Sequence, residues 1–179
     1  FGTSSIMLGD ATTGTISGAN YNVGLGIDVF EDLTSGDNNV GVGFRALYNL
    51  TTGEQNVALG NSTLMQLTTA SNNTAVGQSA LNANTSAADN VAVGHEAMDA
   101  ITTGGNNTAV GKGALGSATT AADNTAIGHE ALTSTNHTRN LGVGYRALTA
   151  QSGTSDNIAI GYDALVRQTT GANGNIAIG

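Results

Sequence analysis

The chain has no cysteine, no proline and no tryptophan in 179 residues, and only 4% of it is aromatic. Lacking cysteine, it has neither a disulfide framework nor a thiolate zinc site; lacking proline, it has no polyproline stalk. Charged residues make up only 10%, with Lys+Arg at 5 against Asp+Glu at 13, a net charge of −8. A field of that sign opposes nucleic acid and anionic lipid, so neither is expected as a partner. No apolar run reaches the length of a membrane-spanning helix, so no membrane insertion is expected. Phe1-Gly2-Thr3 opens the chain without the basic and apolar regions of a secretory signal. Low charge and few aromatics are also features of disordered chains, but here the aliphatic residues keep a schedule that disorder does not need.

That schedule is a five-residue unit: Asn, aliphatic or Thr, Ala or Gly, aliphatic, Gly. It begins at Asn22, Asn39, Asn56, Asn73, Asn90, Asn107, Asn124, Asn140, Asn157 and Asn175. It ends at Gly26, Gly43, Gly60, Gly77, Gly94, Gly111, Gly128, Gly144, Gly161 and Gly179. A degenerate copy, Ser5-Ile6-Met7-Leu8-Gly9, precedes them, so residues 1–21 read as a degenerate first repeat with a lead-in segment and 22–179 as a tandem array. Starts are 17 apart, except for 16 between Asn124 and Asn140 and 18 between Asn157 and Asn175. Such a period predicts a solenoid in which each repeat makes one coil. With no initiator Met, and with Gly179 closing a motif that has no cap, the array is expected to continue beyond the chain.

The second and fourth positions share one face of an extended segment, and the fourth is always Leu, Val or Ile; that face is expected to be buried. The third position is Gly24, Gly41, Ala58, Ala75, Ala92, Ala109, Ala126, Gly142, Ala159 and Ala177. Uniform smallness there predicts close approach by another backbone, either the far wall of the coil or a neighbouring chain; the second is preferred, which makes this the inter-chain face. The closing glycines predict a turn with φ above zero. The Asn residues predict a stacked column of side-chain amides, or alternatively caps on the preceding loop.

After each turn comes Ala-Leu or an equivalent, as in Ala46-Leu47, Ala80-Leu81, Ala97-Met98 and Ala131-Leu132, with Val29-Phe30 and Thr63-Leu64 in the same slot. Its neighbours are helix formers, and Leu50, Leu67 and Ile101 follow three residues on, which predicts a helical turn covering the core, or else a short second strand. The remainder of each period is Thr, Ser, Gly, Ala and Asn, the composition of an exposed loop. The fold class expected is all-β: a parallel β-solenoid of about ten 17-residue coils, assembled as a homotrimeric fibre because one thin coil buries too little by itself.

The units Asn73-Thr74-Ala75-Val76-Gly77 and Asn157-Ile158-Ala159-Ile160-Gly161 resemble the head repeats of trimeric autotransporter adhesins. The longer string Asn124-Thr125-Ala126-Ile127-Gly128-His129-Glu130-Ala131-Leu132 is similar to repeats of phage tail fibres and related bacterial surface proteins. The resemblance spans almost the whole chain and implies a trimeric parallel β-roll or related fibre that spaces, displays and adheres. It also implies an extracellular place, on a virion or a microbial cell surface, and a host surface glycan or protein as receptor. The chain departs from the adhesin head in its longer period and its Ala-Leu segment.

Little in the sequence suggests chemistry. His95 and His129 share the slot after the strand glycine, two coils and about 10 Å apart, too far for one metal ion within a chain. Asp28, Glu31 and Asp32 form the one dense acidic group, and Asp37, Asp89, Asp123 and Asp156 sit at or near the repeat Asn without the calcium-binding repeat pattern. No phosphate-binding loop and no nucleophile-base pair can be assembled, so neither an enzyme nor a cofactor or metal is expected. The expected function is a structural segment of an extracellular fibre that sets length and stiffness, with display of a receptor-binding region. One alternative is an ice- or flat-lattice-binding solenoid using Thr51-Thr52, Thr68-Thr69, Thr102-Thr103, Thr119-Thr120 and Thr169-Thr170, in which each pair turns one Thr outward. The other is a polysaccharide-degrading, tailspike-like enzyme, which requires paired carboxylates on one groove.

Overall fold

Val, Ile and Thr at the second and fourth positions favour extended backbone, and the flanking Asn and Gly hold each extended stretch to three residues. The computed structural model describes residues 5–9, 18–134, 136–151, 155–168 and 173–179. Its strands are β1 (Ile6–Leu8), β2 (Val23–Leu25), β3 (Val40–Val42), β4 (Val57–Leu59), β5 (Thr74–Val76), β6 (Val91–Val93), β7 (Thr108–Val110), β8 (Thr125–Ile127), β9 (Leu141–Val143), β10 (Ala150–Gln151), β11 (Ile158–Ile160), β12 (Arg167–Gln168) and β13 (Ile176–Ile178). Eleven of them form one parallel sheet in the order β1-β2-β3-β4-β5-β6-β7-β8-β9-β11-β13, while β10 and β12 pair separately.

The register follows the repeat: Val40 pairs with Val57, Gly41 with Ala58 and Val42 with Leu59. The coil that is one residue short, between Asn124 and Asn140, keeps it, with Thr125 opposite Leu141. The degenerate first copy is also a rung, with Ile6 opposite Val23. The result is a β-solenoid of about nine turns, whose eleven rungs rise about 50 Å at roughly 4.8 Å each.

The Ala-Leu segment is not the helical turn expected from its composition, nor a strand, and no helix occurs among the described residues. Arg45 and Leu47 both have left-handed φ, 55 and 53, which no right-handed helix accommodates. Their amides leave the coil instead: Arg45 N donates to Ile27 O at 3.0 Å in the coil before, and Leu47 N to Thr63 O at 3.1 Å in the coil after. Only short turns close within the coil, with Ala46 N donating to Gly43 O and Leu50 N to Leu47 O. Local helix propensity therefore yields to bonds between coils, because a helix would leave the neighbouring coil's carbonyls without donors. The three-residue spacing still does its work, for Leu47, Leu50, Leu64, Leu67, Met98 and Ile101 are all fully buried. Asn84 occupies the slot of Leu67 and Ile101 and is satisfied there by Ala87, which both donates to Asn84 Oδ1 at 2.8 Å and accepts from Nδ2 at 2.9 Å.

Candidate functional site

The Asn residues do two jobs at once. Asn39 N and Nδ2 donate to Asn22 Oδ1 at 2.8 and 3.1 Å, and the same Nδ2 donates to Gly53 O at 2.9 Å. The first pair of bonds stacks one coil on the last; the third ties the start of a coil to its own end, 14 residues on. Asn56, Asn73, Asn107, Asn124, Asn140, Asn157 and Asn175 repeat the stacking, each donating to the Asn before it. Asn90 joins through its backbone amide, at 3.1 Å from Asn73 Oδ1. From Asn22 to Asn157 the column is buried, so it is a structural spine rather than a ligand-binding surface.

At the other end of each strand Gly94 illustrates why no larger residue serves. Its φ is +139, and a Cβ placed there would lie 2.6 Å from the carbonyl oxygen of Gly111 in the next coil. Gly26, Gly43, Gly60, Gly77, Gly111, Gly128, Gly144, Gly161 and Gly179 share the positive φ.

The two faces of the strand are the reverse of the sequence-based expectation. Ala58, Ala75, Ala92, Ala109, Ala126 and Ala159 are fully buried inside the single coil, so the small residues are not an inter-chain face. Gly24, Gly41 and Gly142 take the same inward position; Ala177, on the last rung, is half-buried. The close approach is that of the far wall. A Cβ on Gly24 would come within 3.2 Å of the Phe30 ring, one on Gly41 within 2.8 Å of Val29 Cγ1, and one on Gly142 within 3.0 Å of Leu132 Cγ. Val29-Phe30 is the bulkiest pair in its slot, and the glycines opposite it conserve core volume.

The larger aliphatic residues consequently point out. Leu25 is 49% exposed and Ile127 41%, with Leu59, Val110 and Ile160 in the same line and Val91 in the neighbouring outward column. Across all eleven rungs the two outward columns hold only Val, Leu, Ile and Thr, with not one charge on a chain that carries −8. An uncharged, regularly ridged stripe about 50 Å long and about 10 Å wide results, roughly 500 Å², at the upper end of what a lone soluble chain leaves open.

The column after the turn glycine edges this stripe. It reads Ile27, Phe44, Asn61, Gln78, His95, Lys112, His129, Tyr145 and Tyr162. His129 stacks on Tyr145 with ring centroids 5.4 Å apart, and Tyr145 on Tyr162 at 4.9 Å. His95 Nδ1 lies 3.4 Å from Glu96 Oε2 and His129 Nδ1 4.0 Å from Glu130 Oε1. Lys112 stands between the two histidines, and no group of three or more metal-ligating side chains forms among the described residues. Asp28 of the acidic group is paired with Arg45 at 3.1 Å. Arg139 bonds Asp156 through Nε at 2.6 Å, and this hydrogen bond holds the Asp156 carboxyl below the usual carboxylate range. The first Thr of each pair is engaged, since Thr51 Oγ1 donates to Thr68 O and Thr68 Oγ1 to Thr85 O; Thr52, Thr69, Thr103 and Thr120 are exposed. Thr169-Thr170 lies outside the described residues.

One feature has no counterpart in the sequence expectations. Gly113 and Gly116 put two glycines side by side in one coil and open a notch of about 300 Å³ lined by Glu96, Asp99, Lys112 and Glu130. Burial, then the neighbouring Glu96, raises the Asp99 carboxyl above its ordinary value. The signal available in the sequence was the loss of side chains at positions 113 and 116, where the next coils carry Glu96, Asp99, Glu130 and Thr133. None of the family models, curated proteins or solved structures compared with the chain matches it.

Proposed function

We propose that the chain is a structural rod that associates with its own copies, a repeat segment of an extracellular fibre of the phage tail-fibre or microbial surface-filament kind. The observation that carries this reading is the outward aliphatic stripe. Copies bearing −8 repel one another over most of their surface, and the stripe is the long uncharged track along which they can approach. Identical rise per rung makes the stripe self-matching, as a closed symmetric assembly requires. Three copies turning their stripes to a common axis form the preferred assembly, since this withdraws all three from water while the Asn spines stiffen the rod. The flanking Ile27, Phe44, Tyr145 and Tyr162 extend the contact toward the roughly 800 Å² per partner typical of stable complexes. In this reading the rod sets length and stiffness outside the cell or virion, and the fibre presents a region that meets a host surface glycan or protein.

Sedimentation equilibrium decides the central point. The expected mass is three times 17.7 kDa, and Val93→Lys with Val110→Lys yields a monomer whose circular dichroism is unchanged. A wild-type chain that sediments as a monomer overturns the reading.

A further inference from the structure

Of the 4 tyrosines in the chain, Tyr145 and Tyr162 stand in the column after the turn glycine, on the adjacent coils of β9 and β11. Gly161 N donates to Val143 O at 2.8 Å and Asp163 N to Tyr145 O at 2.9 Å, so the backbone on both sides of Tyr162 is bonded to the coil that carries Tyr145. One ring is thereby laid over the other, with centroids 4.9 Å apart and planes 12° from parallel. His129 takes the other face of Tyr145. Tyr21 and Tyr48 lie in other columns, and neither stacks on a tyrosine among the described residues.

The paired rings are also open to solvent, Tyr145 at 38% and Tyr162 at 71%. With no tryptophan and no cysteine to compete, tyrosine is the side chain here that gives up a single electron most readily. Two tyrosyl radicals combine when they meet, and a pair held in contact meets far more often than two rings on separate chains. We infer that Tyr145 and Tyr162 are a site of oxidative modification, at which a peroxide-driven one-electron oxidant couples the two rings into a dityrosine joining the coil of β9 to the coil of β11. Each phenol gives up one electron and one proton, and the new bond forms between a Cε of one ring and a Cε of the other. The hydrogen on each of those carbons then passes to oxygen through solvent, which restores both phenols. The two electrons and two protons reduce one hydrogen peroxide to two waters, and the chain ends two hydrogens lighter. In a chain without cysteine the bond takes the place of a disulfide between neighbouring coils. It needs one chain only, so it does not depend on the association proposed above.

The test treats the protein with a haem peroxidase and hydrogen peroxide, separates the products on a denaturing gel and digests each band with trypsin for mass spectrometry. Cleavage after Arg139, Arg146 and Arg167 leaves Tyr145 in residues 140–146 and Tyr162 in residues 147–167. The inference expects these two peptides joined, two hydrogens lighter than their sum, from the band that runs as a single chain. Dityrosine fluorescence is expected to fall about tenfold in Tyr145→Phe and in Tyr162→Phe, and to stay unchanged in Tyr21→Phe and Tyr48→Phe. The Val93→Lys, Val110→Lys chain, in which both rings are free of any second copy, is expected to give the same single-chain product. Joined peptides found only in bands of two or more chains, or lost in that double variant, would show coupling between chains and overturn the site. Fluorescence that survives Tyr162→Phe overturns it as well. Neither result bears on the sedimentation mass by which association is judged.

Discussion

Replacing Asn107 by Ala probes the column where its bonds can be counted. In the folded chain Asn107 Oδ1 accepts from Asn124 N at 3.0 Å and from Asn124 Nδ2 at 3.2 Å, while Asn107 Nδ2 donates to Asn90 Oδ1 at 3.1 Å and to Ala121 O at 2.8 Å. Asn90 Oδ1 keeps the Asn107 amide, and Asn124 Nδ2 keeps Ala122 O and His137 O. Two groups lose their only partner among the described residues: the Asn124 amide and the Ala121 carbonyl. Each buried orphan costs about 1–3 kcal/mol, so a loss of about 3 kcal/mol is expected, a large part of the stability of a domain this size. The assay is urea unfolding followed by circular dichroism, joined to amide exchange at Asn124, because repeat arrays need not unfold in one step and exchange localises the damage. Asn61→Ala, on the exposed surface, is the control and is expected within about 0.5 kcal/mol of the parent. Asn107→Asp sharpens the reasoning. The new oxygen would face Ala121 O and Asn90 Oδ1, two acceptors, and the enclosed carboxylate would titrate above its unfolded value. A group whose folded pKa is raised contributes stability below the unfolded pKa and loses it as pH rises through the folded one. The Asp variant should therefore be weaker than the Ala variant at pH 7 and recover toward pH 4. An Asn107→Ala chain within 0.5 kcal/mol of the parent, with the Asn124 amide still protected, would refute the column as a source of stability.

Ser79 holds φ at 58, where a residue with a side chain is strained, and Gly113 occupies the equivalent place two coils further along the rod. Ser79→Gly is expected to raise the urea midpoint by about 0.5–1 kcal/mol in stability, and a fall would contradict the left-handed conformation. Gly41→Ala puts a methyl group 2.8 Å from Val29 Cγ1 and is expected to cost about 1–3 kcal/mol, of which most should return in the double variant with Val29→Ala. Independent, additive effects in that cycle would mean that position 41 does not face position 29.

Some of this was legible from residues alone, and the reason lies in what repetition can encode. Asn39, Asn56 and Asn73 recur because the same bond is made on every rung, so period and identity point to one coil per repeat and to a stack. Gly43 and Gly94 are similarly readable, since few environments demand glycine at one fixed phase. The direction of the strand faces was not. Alternation along Val40-Gly41-Val42 says that two faces differ, but both are apolar, and polarity is the usual guide to the inside. The decision came from the width of the coil: Phe30 and Leu132 reach across from the far wall and leave room for at most a methyl group.

The turn after the strand failed in the sequence for a related reason. Leu47 prefers a right-handed helix by itself, and nothing within the repeat reveals that its amide is claimed by Thr63 of the next coil. The notch at Gly113 and Gly116 likewise draws Glu96 and Asp99 from one coil and Glu130 from another two coils on. By itself, then, the sequence determined the period, the rung, the Asn spine and the glycine corners, all of them demands that each repeat makes in the same way. Which side of the rung is core, which hand each turn residue adopts and which side chains converge were decided only when coils met. Each depends on which residues the closed and stacked coils bring together, from Gly24 and Phe30 within one coil to Glu96 and Glu130 two coils apart, and local preference gave way to those contacts.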